Sequence, residues 1–155
     1  MTTRRNELVL RRLDESDLDE VCELVRETVD TSYAAVYPPR EYHERAIVVS
    51  DAAGGHTIVV RSDGMLVATG TRIGTTIRRV FVRADWQHRG IGRQVMAELE
   101  AEALKGEVER LDLSASLPAK DFYLRLGYEI VSEEGHEVAP GQHLEYYEMA
   151  KNLGR

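Results

Sequence analysis

Apolar positions recur along this chain at two different spacings, and the change from one to the other marks out its elements. Leu8-Val9-Leu10-Arg11-Arg12-Leu13 reads as a short strand. Asp14-Glu15-Ser16-Asp17 then supplies a helix N-cap with acids in the first turn. Leu18, Val21, Cys22, Val25 and Val29 fall on one helical face, so a helix follows. Pro38 and Pro39 break it, because proline lacks an amide donor and restricts the residue before it. A second helix is expected from Arg40 or Glu41 to about Ser50, with Gly54-Gly55 after it. The period then shortens to two. His56–Arg61 and Met65–Ile73 read as strands joined through Ser62-Asp63-Gly64, since Asp-Gly between β-rich runs is a hairpin signal. Thr75–Val82 is a third strand. Ile91, Val95, Leu99 and Ala103 return to helical spacing, with Lys105 the last residue and Gly106 the C-cap. Arg110–Ser114 is a strand, and Pro118 opens a helix ending near Gly127. Tyr128–Ser132 and Leu144–Met149 are the last strands, joined by a polar, glycine-containing connection. The order β-α-α-β-β-β-α-β-α-β-β over 155 residues describes one mixed α/β domain.

Composition narrows the function classes. Apolar residues at 43% and charged residues at 30% fit a soluble globular chain. No apolar run is long enough to span a bilayer, and the N-terminal segment lacks a signal-peptide core, so a cytoplasmic location is expected. One cysteine, Cys22, excludes an internal disulfide framework, and its place on the apolar helical face makes it a core residue. The five histidines show no metal-ligand spacing, so no metal is expected. The net charge of −7 is unevenly spread. Residues 61–93 carry seven arginines against Asp63 and Asp85, while the flanking segments are acidic. An acidic chain with one basic stretch suits a small polyanion bound at one place better than a nucleic acid.

The basic stretch contains Val80-Phe-Val-Arg-Ala-Asp-Trp-Gln-His-Arg-Gly-Ile-Gly92. A strand ends, a loop carries two glycines two apart, and a helix begins at once. A helix N-terminus offers unpaired amides and the positive end of the macrodipole, and glycines clear Cβ atoms from an approaching phosphate. The pattern is that of an anion cradle. A Walker loop would need Lys-Ser/Thr where Arg93-Gln94 stands. A dinucleotide fingerprint would need a small residue where Val95 stands.

Gln87-His-Arg-Gly-Ile-Gly92 resembles the Gln/Arg-x-x-Gly-x-Gly/Ala signature of the GNAT acyltransferases. The apolar run Val80–Val82 lies five residues before Gln87, as in that family. Thirty residues on, Ala119-Lys-Asp-Phe-Tyr-Leu-Arg-Leu-Gly-Tyr128 is similar to its second hallmark, Ala-x-x-Phe-Tyr-x-x-x-Gly-Phe/Tyr. The resemblance implies a GNAT-like domain: a mixed, mostly antiparallel sheet of six to seven strands with four helices and splayed central strands. It implies acetyl-CoA as cosubstrate and a primary amine, small-molecule or peptide, as acceptor, attacking directly in a ternary complex. It assigns the cofactor to Val80, Phe81, Val82, Gln87, His88, Arg89, Gly90, Ile91, Gly92, Arg93 and Ser116. Within that set, backbone groups of Val80 and Val82 would pair with the pantetheine arm, and amides from Gln87 to Arg93 would hold the pyrophosphate. The Val82 amide would hydrogen-bond the thioester carbonyl. Tyr123 matches the tyrosine that protonates the leaving thiolate, although Phe122, Tyr123 and Leu126 also suit the core of a short helix.

Two positions depart from the pattern. Ser116 stands where many relatives have Asn against the pantetheine, and Thr76 where many have a Glu relaying the amine's proton. Thr76 is no base at neutral pH, which leaves the general base open. Tyr33, Tyr37, His43 and Tyr146 are the polar aromatics expected near an acceptor pocket. The departures motivate an alternative, a non-catalytic acyl-CoA-binding or sensor module, which intact Tyr123 argues against. A toxin- or ribosome-associated enzyme would need a basic acceptor face that the acidic termini do not supply. Relatives are often dimers, but the sequence identifies no interface, no membrane contact and no acceptor.

Overall fold

The computed structural model describes residues 7–32 and 45–154, and the side chains of all but 29–32, 136–139 and 142–144. Tyr33, Tyr37, His43, the Pro38-Pro39 break and the expected start of the second helix lie outside the described residues. The elements are β1 (Leu8–Arg12), α1 (Leu18–Ser32), α2 (Arg45–Gly54), β2 (His56–Ser62), β3 (Met65–Ile73), β4 (Thr76–Val82), α3 (Ile91–Lys105), β5 (Arg110–Ser116), α4 (Lys120–Arg125), β6 (Glu129–Ala139) and β7 (Gln142–Asn152). The seven strands form one sheet in the order β1-β2-β3-β4-β5-β7-β6. All neighbours are antiparallel except β4 and β5. The β2–β3 hairpin turns at Asp63 and Gly64, both at positive φ (49° and 81°), the two-residue turn whose twist suits a hairpin.

Helices cover both faces. On one face α3 buries Ile91, Val95, Met96, Leu99 and Ala103 against Ile58, Val60, Ile77, Leu111, Leu113 and Met149. Gly70 makes that approach possible. A Cβ there would lie 2.6 Å from Val95 Cγ1 and 3.1 Å from Leu99 Cδ1. On the other face α1 and α2 place Val21, Cys22, Leu24, Val25 and Val48 over Val59, Leu66 and Phe81. The buried stripe of α1 is rotated from the expected one: Leu24 and Thr28 are buried, while Leu18 is half-exposed. Cys22 is buried, as its spacing predicts, and burial raises its thiol pKa.

Gly106 is the C-cap of α3, as the sequence reading has it, at φ −86°, and Glu107 takes the left-handed turn at φ 63°. Two elements differ from the sequence reading. A 3-10 turn, Leu117–Ala119, precedes α4, so α4 begins at Lys120 rather than at Pro118. The polar connection between the last two strands is itself strand, closing at Pro140-Gly141 into a hairpin of eleven residues a side.

Candidate active site

The centre of the molecule is the junction of β4 and β5. They meet at one pair, Thr76 with Asp112, where the Asp112 amide donates to the Thr75 carbonyl at 2.8 Å. No further pair joins them among the described residues, so the strands part from there toward Val82 and Ser116. Opposite, β4 carries a bulge. Thr69 faces Phe81 and Thr71 faces Arg78, leaving Arg79 and Val80 against Gly70, with Arg79 at φ 52°. The extra residue turns both Arg78 and Arg79 toward α2, where each pairs with Asp51.

Beyond the bulge the backbone polarity of β4 follows from the ladder. Arg83 donates its amide to Val67 at 2.8 Å, and hydrogen-bonded pairs alternate in an antiparallel ladder. Phe81 is therefore bonded to β3, while the amide and carbonyl of Val82 point toward the opening beside β5. The Val82 carbonyl is taken by Gln87 Nε2 at 3.0 Å, which leaves its amide directed at the opening. Phe81 itself turns away: its side chain is 3% exposed and packs among the α1 residues. Its side chain and its ladder bonds therefore both face away from the gap.

The chain next runs through a 3-10 turn at Ala84–Trp86 into the N-terminus of α3. His88 and Gly90 lie at positive φ (64° and 81°), and Gly90 is the N-cap, with no side chain capping the helix and no acid in its first turn. Amides at the start of α3 are therefore uncapped, and a Cβ on Gly90 would meet nothing within 4 Å. A helix start of this kind can take an anion. His88, Arg89 and Arg93 are exposed around it. Arg89 stacks over the Trp86 ring at 4.7 Å and donates to the Asp85 carbonyl. Ile91 is core. Gly92 has a different role from Gly90. A Cβ on it would lie 3.1 Å from Phe122 Cζ and 3.8 Å from Val82 Cγ2. Its missing side chain makes room for α4, not for an anion.

That contact joins the two sequence motifs, which are thirty residues apart. Phe122 of α4 sits on the first turn of α3, and the next residue, Tyr123, is buried edge-on to Phe122 (5.0 Å) and Tyr128 (5.8 Å). Burial raises the pKa of Tyr128 well above the usual phenol range, so it stays neutral. Ser116 closes β5, is 6% exposed and lies opposite Tyr146 of β7.

The sequence reading missed Asp112. Its carboxylate accepts from Thr76 Oγ1 at 2.7 Å and from Thr75 Oγ1 at 2.9 Å, at the point where the strands part. Nothing local in the sequence marks it, since the pairing crosses 36 residues. Among the described residues no three His, Cys, Asp or Glu side chains are grouped to hold a metal ion. No described helix is long and apolar enough to cross a membrane.

This arrangement has close counterparts. A GCN5-related N-acetyltransferase from Rhodopseudomonas palustris superposes with a TM-score of 0.82 at 19% identity, covering 98% of each chain. The PaiA N-acetyltransferase of Thermoplasma acidophilum, solved in complex with coenzyme A, gives 0.74 at 17% identity over 94% of this chain and 99% of the other. YncA from Salmonella typhimurium, solved with its cofactor acetyl-CoA, gives 0.77 at 18% identity over 96% and 95%. No curated protein matches the chain. The family model described as the acetyltransferase (GNAT) domain matches residues 21–153. The fold and its CoA-dependent acyl-transfer chemistry thus have one source: this chain belongs to the GNAT acetyltransferase domain family.

Proposed function

We propose that this protein transfers an acetyl group from acetyl-CoA to a primary amine, by direct attack within a ternary complex. The observation that carries the reading is the uncapped, acid-free N-terminus of α3 standing beside an open β4–β5 gap. A pyrophosphate fits the first feature, because amides and macrodipole both favour an anion there. A pantetheine arm fits the second, lying along β4 as an added strand would and meeting backbone groups of Val80 and Val82. The Val82 amide, directed into the gap, donates to the thioester carbonyl and stabilises the oxyanion as the amine attacks. Ser116, at the far wall, offers a hydroxyl to the arm. Arg89 and Arg93 add positive charge around the diphosphate, with the His88 ring beside them.

Tyr123 protonates the departing sulfur. A thiolate leaves readily, so the contribution is modest, about 10²-fold. Tyr123→Phe keeps the ring that packs against Phe122 and Tyr128, and is expected to lower kcat by about that factor with acetyl-CoA binding retained. An unchanged kcat would make Tyr123 a core residue only. Holding thioester and amine together supplies much of the remaining acceleration.

The reading is tested by CoA release. The purified protein with acetyl-CoA and a panel of amines is assayed for free thiol, and acetylated product is identified by mass. Turnover with any amine supports catalysis. Acetyl-CoA binding without CoA release from any acceptor would instead make the protein an acyl-CoA-binding module.

A further inference from the structure

We propose that Asp51 of α2 is a positioning residue for the Val82 amide, acting through the bulge at Arg79. The inference rests on the acetyl-transfer reading above and adds to it a residue that lies outside the gap.

The bulge decides which amide of β4 faces the gap. Thr75 turns its carbonyl to β5, where the Asp112 amide donates to it. Backbone groups of successive residues alternate between a strand's two neighbours. Counted from Thr75, an unbroken β4 would turn Phe81 to β5 and Val82 to β3. The extra residue opposite Gly70 reverses the count, so Phe81 pairs with Thr69 of β3 and the Val82 amide faces the gap. The side chains record the same reversal. Ile77 and Val80 both pack on the α3 side, with Arg78 and Arg79 between them instead of one residue, and both arginines reach α2. Without the bulge, the donor assigned to the oxyanion would be turned to β3.

Arg79 is an unusual residue for that place. It is the first of the two residues opposite Gly70, and its φ is 52°. Glycine is the residue that takes a left-handed conformation at this position of a bulge without strain. An arginine there needs a contact that holds it, and Asp51 supplies one. Asp51 Oδ2 accepts from Arg79 Nη1, and both side chains are largely buried (14% and 10% exposed). Arg78 Nη1 donates to the same oxygen at 3.3 Å from a more exposed position. The anchor is firm, because α2 is itself seated through Val48 in the cluster that holds Val59 of β2 and Leu66 of β3. Ile77 fixes β4 before the bulge and Phe81 fixes it after. The residues between them are held from α2 by Asp51. Freeing Arg79 loosens the bulge, and the Val82 amide then spends part of its time turned from the gap.

The test starts with amide hydrogen exchange and no substrate. In native protein the Phe81 and Arg83 amides should be protected and the Val82 amide open. Asp51→Asn should lower Phe81 protection by about tenfold or more relative to the amides of β2. Adding Arg79→Gly to Asp51→Asn should restore it, because glycine keeps the bulge without the ion pair. CoA release is then measured with benzylamine, spermidine and a lysyl tripeptide as acceptors. In Asp51→Asn kcat should fall about tenfold and recover in the double variant, while acetyl-CoA affinity changes by less than about threefold. Unchanged Phe81 protection in Asp51→Asn overturns the proposal. So does a loss that glycine fails to restore, since Asp51 would then serve only to fasten α2. Should Asp51→Asn not fold, Arg79→Ala and Arg79→Gly decide. Both lack the guanidinium, and alanine alone is strained at φ 52°, so protection should fall in Arg79→Ala and hold in Arg79→Gly. Equal protection in the two overturns the proposal. Native protein that shows the expected exchange but releases no CoA with any of the three acceptors instead overturns the acetyl-transfer reading beneath the inference.

Discussion

Asp17 is buried, and its carboxylate receives two donors from Arg11, one from Arg61 and the Asp14 amide, all within 2.8 Å. These bonds tie the start of α1 to β1 and β2. The Arg11 hydrogen bonds, ahead of the other contacts, hold the Asp17 pKa far below the usual carboxylate range. A depressed folded pKa means that the stabilisation is fully present above the unfolded value near about 4 and is lost as pH falls through the folded value. Asp17→Asn is expected to cost about 3 kcal/mol in urea denaturation at neutral pH, because it leaves the largely buried Arg61 guanidinium, together with the exposed Arg11, against a neutral group. The gap between native and variant should narrow as pH drops below about 4. A gap independent of pH would assign the loss to packing instead. In sequence Asp17 reads as a first-turn acid, and only the neighbouring strands reveal its partners. The two glycines of the Gly-x-Gly loop divide in the same way. Both read as openings for an anion, yet only Gly90 faces open space while Gly92 faces Phe122. Glycine marks a close approach without saying what approaches.

Elements whose buried residues form a stripe or an unbroken run were readable. α3 runs Ile91–Lys105 with one buried face, and β3 runs Met65–Ile73, buried on both faces from Leu66 to Thr71. The β6–β7 hairpin was not, and the reason is physical. Glu133, Glu134, Gly135 and Glu145 are exposed, so among the described residues this arm shows no buried face to impose alternation, and its pairing rests on backbone bonds. The α4 boundary failed for another reason, since a proline starts a 3-10 turn as readily as an α-helix. Packing of α3 on the sheet makes a sharp test. Gly70→Ala adds a methyl where Val95 and Leu99 already stand, and is expected to cost about 1–3 kcal/mol through overpacking. The measurement is the denaturation midpoint at unchanged m-value. A neutral effect would mean that α3 shifts freely on the sheet.

Over the whole molecule, strand order and site are one problem. The order of elements was legible, but the gap between β4 and β5 was not, because nothing in either strand says that they pair only at Thr76 and Asp112. The splay came from resemblance, and the structure supplies its local causes: the Gly70 bulge on one side and the threonine–aspartate clamp at the vertex. The motif residues were legible as a set, whereas their separate roles needed contacts that only the fold provides. The central claim is that this gap and the α3 N-terminus together hold acetyl-CoA. The most direct measurement is a calorimetric titration of acetyl-CoA into native protein and into Arg93→Glu. That residue is exposed, so the change puts a carboxylate in the first turn of α3 without disturbing the Gly92–Phe122 packing. The account predicts saturable one-to-one binding by native protein, weakened about tenfold or more in the variant. Folded native protein that takes up no acetyl-CoA, or a variant that binds as tightly as native, would contradict it.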